Sequence, residues 1–89
     1  MASKEDIKLS IEATVKRYDP EDYKLWRIGT TTHPVERKTE WDNPKDWHMW
    51  EVSSKEVAAD LEKHFTEKGM KGAPGGDIDE NEIVFVYIF

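Results

Sequence analysis

The sequence contains no cysteine and no long apolar run. Without thiols, a disulfide framework and a thiolate zinc site are both excluded. No stretch approaches the roughly 20 apolar residues that span a bilayer, and the first residues lack the apolar region of a secretory signal. We therefore expect a cytoplasmic protein without a membrane segment. A length of 89 residues predicts a single domain, residues 1–89.

The chain also lacks an excess of positive charge, since its net charge is −6. Four of the excess negative charges lie in residues 77–82, just before the last apolar segment. Proteins that bind nucleic acid usually carry a basic field because phosphate neutralisation dominates their affinity. A global field of that kind is excluded. A local basic face remains compatible with the sequence, and its members would be Lys24, Arg27, Arg37 and Lys38.

Aromatic residues are abundant, with four Trp, three Tyr and three Phe, and they argue against a disordered chain. The densest cluster is Trp47-His48-Met49-Trp50. In a strand these bulky side chains would occupy both faces, which predicts a strand covered on both sides. Two interpretations are open: the rings form the core of a small domain, or they form a stacking platform for bases or a patch that binds protein.

Residues 3–18 fit two patterns. Apolar residues alternate with polar ones, as in a strand, but Ile7, Ile11 and Val15 also recur at helical spacing. Ser3 and Asp6 form a capping-box pattern, which favours a helix. Asp19-Pro20 would end it.

The rest of the chain alternates between strand and helix patterns. Strands are predicted at residues 23–31, 47–52 and 82–89. Helices are predicted at residues 34–41 and from a Ser53/Glu56 capping box, with Ser53 as the N-cap, to Gly69. Residues 69–76 read as an irregular loop, with Gly69 as the helix C-cap. We expect an α+β fold, in which helices pack against a small three-stranded mixed or antiparallel sheet.

The segment from Gly29 to Arg37 is the strongest candidate for chemistry. Glycine at a strand end permits a sharp turn, and a helix opening at Pro34 would place Arg37 beside the strand end. An arginine fixed there could bind a phosphate or carboxylate through two hydrogen bonds. The alternative is a solvated surface arginine that pairs with Glu36 or Glu40.

The motif Ile28-Gly29-x-Thr31, followed by Arg37 in a helix, resembles the second half of the GIY-YIG nuclease core. The helix after Ala58-Ala59, which carries Glu62, is similar to the helix that bears the metal-binding Glu of that family. In place of the family's first strand, the C-terminal strand would contribute Tyr87. Arg27 stands where the family has its second Tyr, and Trp41 where a His commonly follows.

The resemblance implies a site in which Arg37 stabilises a phosphate, Glu62 binds Mg²⁺ or Mn²⁺, and Tyr87 assists as a hydroxyl. Arg27, Thr31 and Lys38 would add ligand contacts. Because Arg27 and Trp41 differ from the family's Tyr and His, we expect a nucleic-acid-directed domain that lacks part of the nuclease chemistry. Whether the domain is an enzyme is left open. The alternative is a non-catalytic module that binds another protein through an aromatic or acidic surface. Either form is expected to be a monomer or a weak homodimer.

Overall fold

A computed structural model describes residues 3–18, 20–73, 78–79 and 81–89. Within that part of the chain, three α-helices and one four-stranded sheet confirm the α+β class. None of these helices has the length and apolarity needed to cross a bilayer. In chain order the elements are α1 (Lys4–Lys16), β1 (Arg27–Thr31), α2 (Pro34–Glu40), β2 (His48–Val52), α3 (Lys55–Glu67), β3 (Lys71–Gly72) and β4 (Val84–Ile88).

The ambiguous N-terminal segment is helical. The Ser3 hydroxyl accepts a hydrogen bond from the Asp6 amide, with 3.1 Å between oxygen and nitrogen, and the Asp6 carboxylate accepts one from the Ser3 amide. Both halves of the capping box are therefore formed. Ile7, Ile11 and Val15 are buried. A strand would have buried Leu9 on the same face as Ile7 and Ile11. Leu9 is instead 56% exposed, which excludes the strand alternative.

The sheet has the order β2-β4-β1-β3. β4 runs antiparallel to both β1 and β2, whereas β3 runs parallel to β1. The expected strand count of three was wrong because Lys71–Gly72, inside the predicted loop, pairs with β1. The Lys71 amide donates to the Trp26 carbonyl at 3.0 Å, and the Ala73 amide donates to the Ile28 carbonyl at 2.9 Å. The rest of that loop, with Asp77 and Glu80 of the acidic segment, lies outside the described residues.

Two predicted boundaries were also wrong. Tyr23–Leu25 forms a 3₁₀ turn rather than the start of β1, because the Asp22 carboxylate accepts the Lys24 amide at 2.9 Å. α3 begins one residue later than the capping-box pattern predicts: its N-cap is Ser54, whose hydroxyl accepts the Val57 amide. The C-terminal side of α3 is as expected, since Gly69 follows it with φ +124°.

The two faces of the sheet are covered differently. The core face carries α1 and α3, and its buried residues are Ile7, Ile11, Val15, Trp26, Ile28, Val52, Ala58, Leu61, Phe65, Met70, Val84, Val86 and Ile88. The opposite face, here called the aromatic face, carries the alternate residues of β4, including Tyr87. β2 is not covered on both sides as expected. Met49, which pairs with Tyr87, is 46% exposed, because β2 lies at the edge of the sheet.

Candidate functional site

The connection from β1 to α2 fixes the position of Arg37. Thr31 is buried, and its hydroxyl accepts the His33 amide at 2.9 Å, which closes the turn after the strand. Pro34 then opens α2 at the first helical position. Arg37 lies in the next turn with only 8% of its surface exposed. The turn and the helix therefore bury the Arg37 side chain instead of leaving it in solvent.

Arg37 has one ionic partner and one unsatisfied donor. Its Nη1 donates to the Glu40 carboxylate, a residue whose side chain is 59% exposed. Its Nε is buried, and no residue that the structure describes forms a hydrogen bond with it. The predicted pairing with Glu40 is thus present, but the arginine itself is buried and not solvated.

Tyr87 of β4 lies directly opposite Gly29 of β1. A Cβ on Gly29 would lie 2.5 Å from both Cζ and the hydroxyl oxygen of Tyr87, and 3.1 Å from the Cβ of Ala73. The ring therefore crosses β1 in the space that a side chain at position 29 would fill. On its other side Trp47 stacks on it, with centroids 4.4 Å apart and planes 13° apart. Tyr87 is fully buried, and within the described part of the chain its hydroxyl has no hydrogen-bond partner.

Charges from two helices act on this hydroxyl. Burial raises the pKa of Tyr87, and the Arg37 guanidinium opposes the rise. The Trp41 indole also lowers the pKa of Tyr87, although no hydrogen bond of normal geometry reaches the oxygen. The carboxylates of Glu62 and Glu40 raise it further. Arg37 and Glu62 thus have opposite effects on the pKa of Tyr87.

Glu62 approaches from the core side of the sheet. It is half-buried on α3 and lines a cleft of about 370 Å³ with Thr30 and Val84. β3 pairs with β1 only at Arg27 and Ile28, so the edge of β1 beyond that point carries no neighbouring strand among the described residues. Glu62 thus lies on the core side of β1, in a cleft whose described lining contains neither Arg37 nor Tyr87.

Glu62 shares the described lining of its cleft with one other carboxylate, that of the exposed Glu56. Among the described residues, no three His, Asp or Glu side chains gather as a metal cluster. Mg²⁺ is commonly held by one or two carboxylates together with substrate phosphates and water. Glu62 can supply one such carboxylate. Burial raises the pKa of Glu62, and a nearby cation would favour its charged form.

Glu62→Gln is expected to raise the free energy of unfolding at neutral pH. Because the folded-state pKa of Glu62 lies above the unfolded value, burial of the charge costs stability once the pH rises through the folded pKa. The gain should vanish below the ordinary pKa of glutamate, about 4.3, where the wild-type side chain is neutral as well. Urea unfolding at several pH values measures it. Glu56→Gln, an exposed acid of the same helix, is the control; an equal gain there would contradict burial as the cause.

The three additional ligand candidates occupy different environments. Arg27 is half-buried, and its guanidinium carbon lies 5.2 Å above the ring of Trp41. Lys38 is half-buried on α2. Thr31 is buried and already accepts the His33 amide, so its hydroxyl supports the turn that positions Arg37.

Sequence reasoning did not identify the participation of Trp47 and Gly29 in the site. From the sequence, Trp47 stands out only as part of an aromatic cluster, and Gly29 only as a turn residue and a member of the GIY-YIG-like motif. Both act through Tyr87, which is distant from them in the chain and next to them across the sheet. The local pattern carried no signal for either contact.

No protein-family model, curated protein or solved structure matches this chain.

Proposed function

We propose that this chain is a nucleic-acid-directed domain on a GIY-YIG-like scaffold, which binds a backbone phosphate at Arg37 and Tyr87. The observation that supports the proposal is a pair of buried groups that have no hydrogen-bond partner among the described residues, the Arg37 Nε and the Tyr87 hydroxyl. A buried donor left unpaired costs about 1–3 kcal/mol. An anionic oxygen could accept from both, and a phosphodiester suits a guanidinium well.

Glu40 marks the side from which the anion would enter. Its exposed carboxylate already bonds the Arg37 Nη1, so an oxyanion is compatible with this position. A bound phosphate would take the place of Glu40 at the guanidinium. The internal pair therefore competes with the ligand, and its removal is expected to strengthen binding.

Hydrolysis would need more than Arg37 provides. It would need a divalent cation at the phosphate, and Glu62 lines a cleft on the core side of the sheet whose described lining contains neither Arg37 nor Tyr87. On the aromatic face Arg37 would orient the phosphate, and the Tyr87 hydroxyl would donate a hydrogen bond to it. Arg27 occupies the position of the family's second Tyr, so the activity proposed is phosphate binding, with cleavage as a separate outcome of the test.

Arg37→Met is expected to weaken DNA binding about 10- to 100-fold, because a hydrogen bond to a charged group contributes about 1.5–3 kcal/mol. A plot of the logarithm of the DNA-binding constant against the logarithm of the salt concentration should become shallower, its slope falling in magnitude by about 1. Fluorescence anisotropy of a short labelled DNA, with and without Mg²⁺ or Mn²⁺, measures both, and gels of the same mixtures report cleavage. Glu40→Gln should instead strengthen binding several-fold.

Arg17→Met is the matched control, since it removes the same charge from an exposed position at the end of α1. It should change affinity less than about twofold, as expected for an exposed charge away from the site. Equal losses in both variants would mean that only net charge matters, and would contradict a phosphate site at Arg37. Arg37→Lys separates charge from geometry, because lysine cannot form the two-pronged contact.

A second candidate function, protein binding, is supported by a different feature. β2 is an edge strand of the sheet, and its Met49 side chain is 46% exposed on the aromatic face. Edge strands can accept a further strand from a partner. A chain that binds no DNA in the anisotropy experiment would favour this candidate.

A further inference from the structure

The aromatic face carries three nearly parallel rings and a fourth, that of Trp41, which is tilted by 50° against the ring of Phe89. We call Trp41, Trp47, Tyr87 and Phe89 the aromatic layer. Trp47 stacks on Tyr87 and also on Phe89, whose centroid lies 5.5 Å away with planes 22° apart. Tyr87 and Phe89 lie side by side, 19° from parallel. Trp41 contacts the edge of this set through Phe89, at 5.2 Å.

Trp47 is one of the partly exposed rings of the aromatic layer. Tyr87 beneath it is fully buried, whereas Trp47 remains partly exposed. Among the described residues, Trp47 stacks on Tyr87 and Phe89 alone, so one of its faces is left without an aromatic neighbour. A further flat ring could continue the stack on that face. A nucleic-acid base is such a ring, and stacking on aromatic side chains tolerates any base.

Two cations lie next to the aromatic layer. Arg27 lies over Trp41, and Lys71 is its direct partner in the parallel β1–β3 pair, so both side chains leave the sheet on the same face. Neither forms an ion pair with any of the described residues. Like charges placed opposite each other on a sheet repel, and an anion between them removes that cost. The charge of this edge is complementary to a phosphate backbone.

We infer that the aromatic layer stacks an unpaired base, and that the preferred ligand is a single-stranded nucleic acid. The inference rests on the proposed phosphate binding at Arg37, because Tyr87 belongs to both the layer and the phosphate site. Single-stranded binding proteins combine these two elements, a cationic track and aromatic rings. In a duplex the bases stack on each other and cannot reach Trp47. The backbone would run from Arg37 past the rings to Arg27 and Lys71.

The test compares single-stranded DNA, duplex DNA and a single-stranded abasic backbone by anisotropy. Wild-type protein is expected to prefer the single strand. Trp47→Leu should weaken single-strand binding roughly 5- to 100-fold, the range for loss of one base–aromatic stack, and should leave the abasic backbone unaffected. Trp47→Phe keeps a ring and should retain most of the binding. Tyr23→Leu is the control, because it removes a half-buried ring that packs on Phe65 of the core. It should leave the affinity for single-stranded DNA and for the abasic backbone unchanged.

Each outcome decides one of the two proposals. If Trp47→Leu leaves single-strand binding intact while Arg37→Met still weakens it, the base platform is overturned and the phosphate site stands. Equal losses on single strand and abasic backbone would make Trp47 a structural support and would also overturn the platform. If Arg37→Met has no effect on the abasic backbone, the phosphate site fails instead. Melting temperatures of all variants show whether any loss reflects unfolding.

Discussion

Gly29→Ala is expected to lower the free energy of unfolding by about 1–3 kcal/mol, the usual cost of overpacking a filled site. The new methyl group would lie 2.5 Å from Cζ and the hydroxyl oxygen of Tyr87, closer than atoms tolerate. The ring cannot retreat freely, because Trp47 stacks on its other side at 4.4 Å. Each kcal/mol lowers the melting temperature by about 4–8 °C in a chain of this size. Thermal and urea unfolding measure the loss.

Gly72→Ala is the matched control in the neighbouring strand, because a Cβ there meets no atom within 4 Å. It should change the free energy of unfolding by less than about 0.5 kcal/mol. In a Tyr87→Ala background the cost of Gly29→Ala should largely disappear, since the obstructing ring is gone. Equal melting temperatures for the two single glycine variants would contradict close packing of Tyr87 on Gly29.

Tyr87→Phe is expected to stabilise the fold and to weaken phosphate binding. The hydroxyl is buried and unpaired, so its removal should raise the free energy of unfolding by about 1–2 kcal/mol. The same change deletes a proposed donor to the phosphate and should lower DNA affinity about 2- to 10-fold. Opposite signs in stability and binding are characteristic of a group retained for a ligand. Urea unfolding and anisotropy on the same protein sample test both.

Tyr18→Phe provides the comparison, since the Tyr18 hydroxyl lies 2.9 Å from the His48 Nε2 and is therefore satisfied. Its loss should destabilise the protein by about 0.5–1.5 kcal/mol and leave DNA binding unchanged. If Tyr87→Phe destabilised the protein to the same degree, the Tyr87 hydroxyl would have a partner within the fold. The argument for an open donor at the site would then be wrong.

The features predicted correctly from the sequence are those fixed by neighbours in the chain. The Ser3–Asp6 capping box decided the helical state of α1, and Gly69 ended α3. Asn43-Pro44 similarly separates α2 from β2. Even locally the pattern was ambiguous where two serines adjoin, because Ser54 and not Ser53 became the cap of α3.

The features missed depend on contacts across the sheet. β3 has only two residues and no strand pattern, and it forms because two amides reach carbonyls of the Trp26–Ile28 segment. The spacing of Gly29 and Arg37 predicted a helix that presents an arginine, which is present. It could not predict that Tyr87 would lie over Gly29, or that Glu62 would act on the same hydroxyl from α3. Those relations follow from strand order, which no local periodicity encodes.

The position of β4 has a consequence for how the protein assembles. β1 and β2 do not pair with each other, and each is joined to the sheet through β4, the last of the four strands to be synthesised. Until residues 84–88 leave the ribosome, β1 and β2 have unpaired edges and the core lacks Val84, Val86 and Ile88. Folding therefore waits for the final strand. During that interval the unpaired edges of β1 and β2 are open to pairing with other chains.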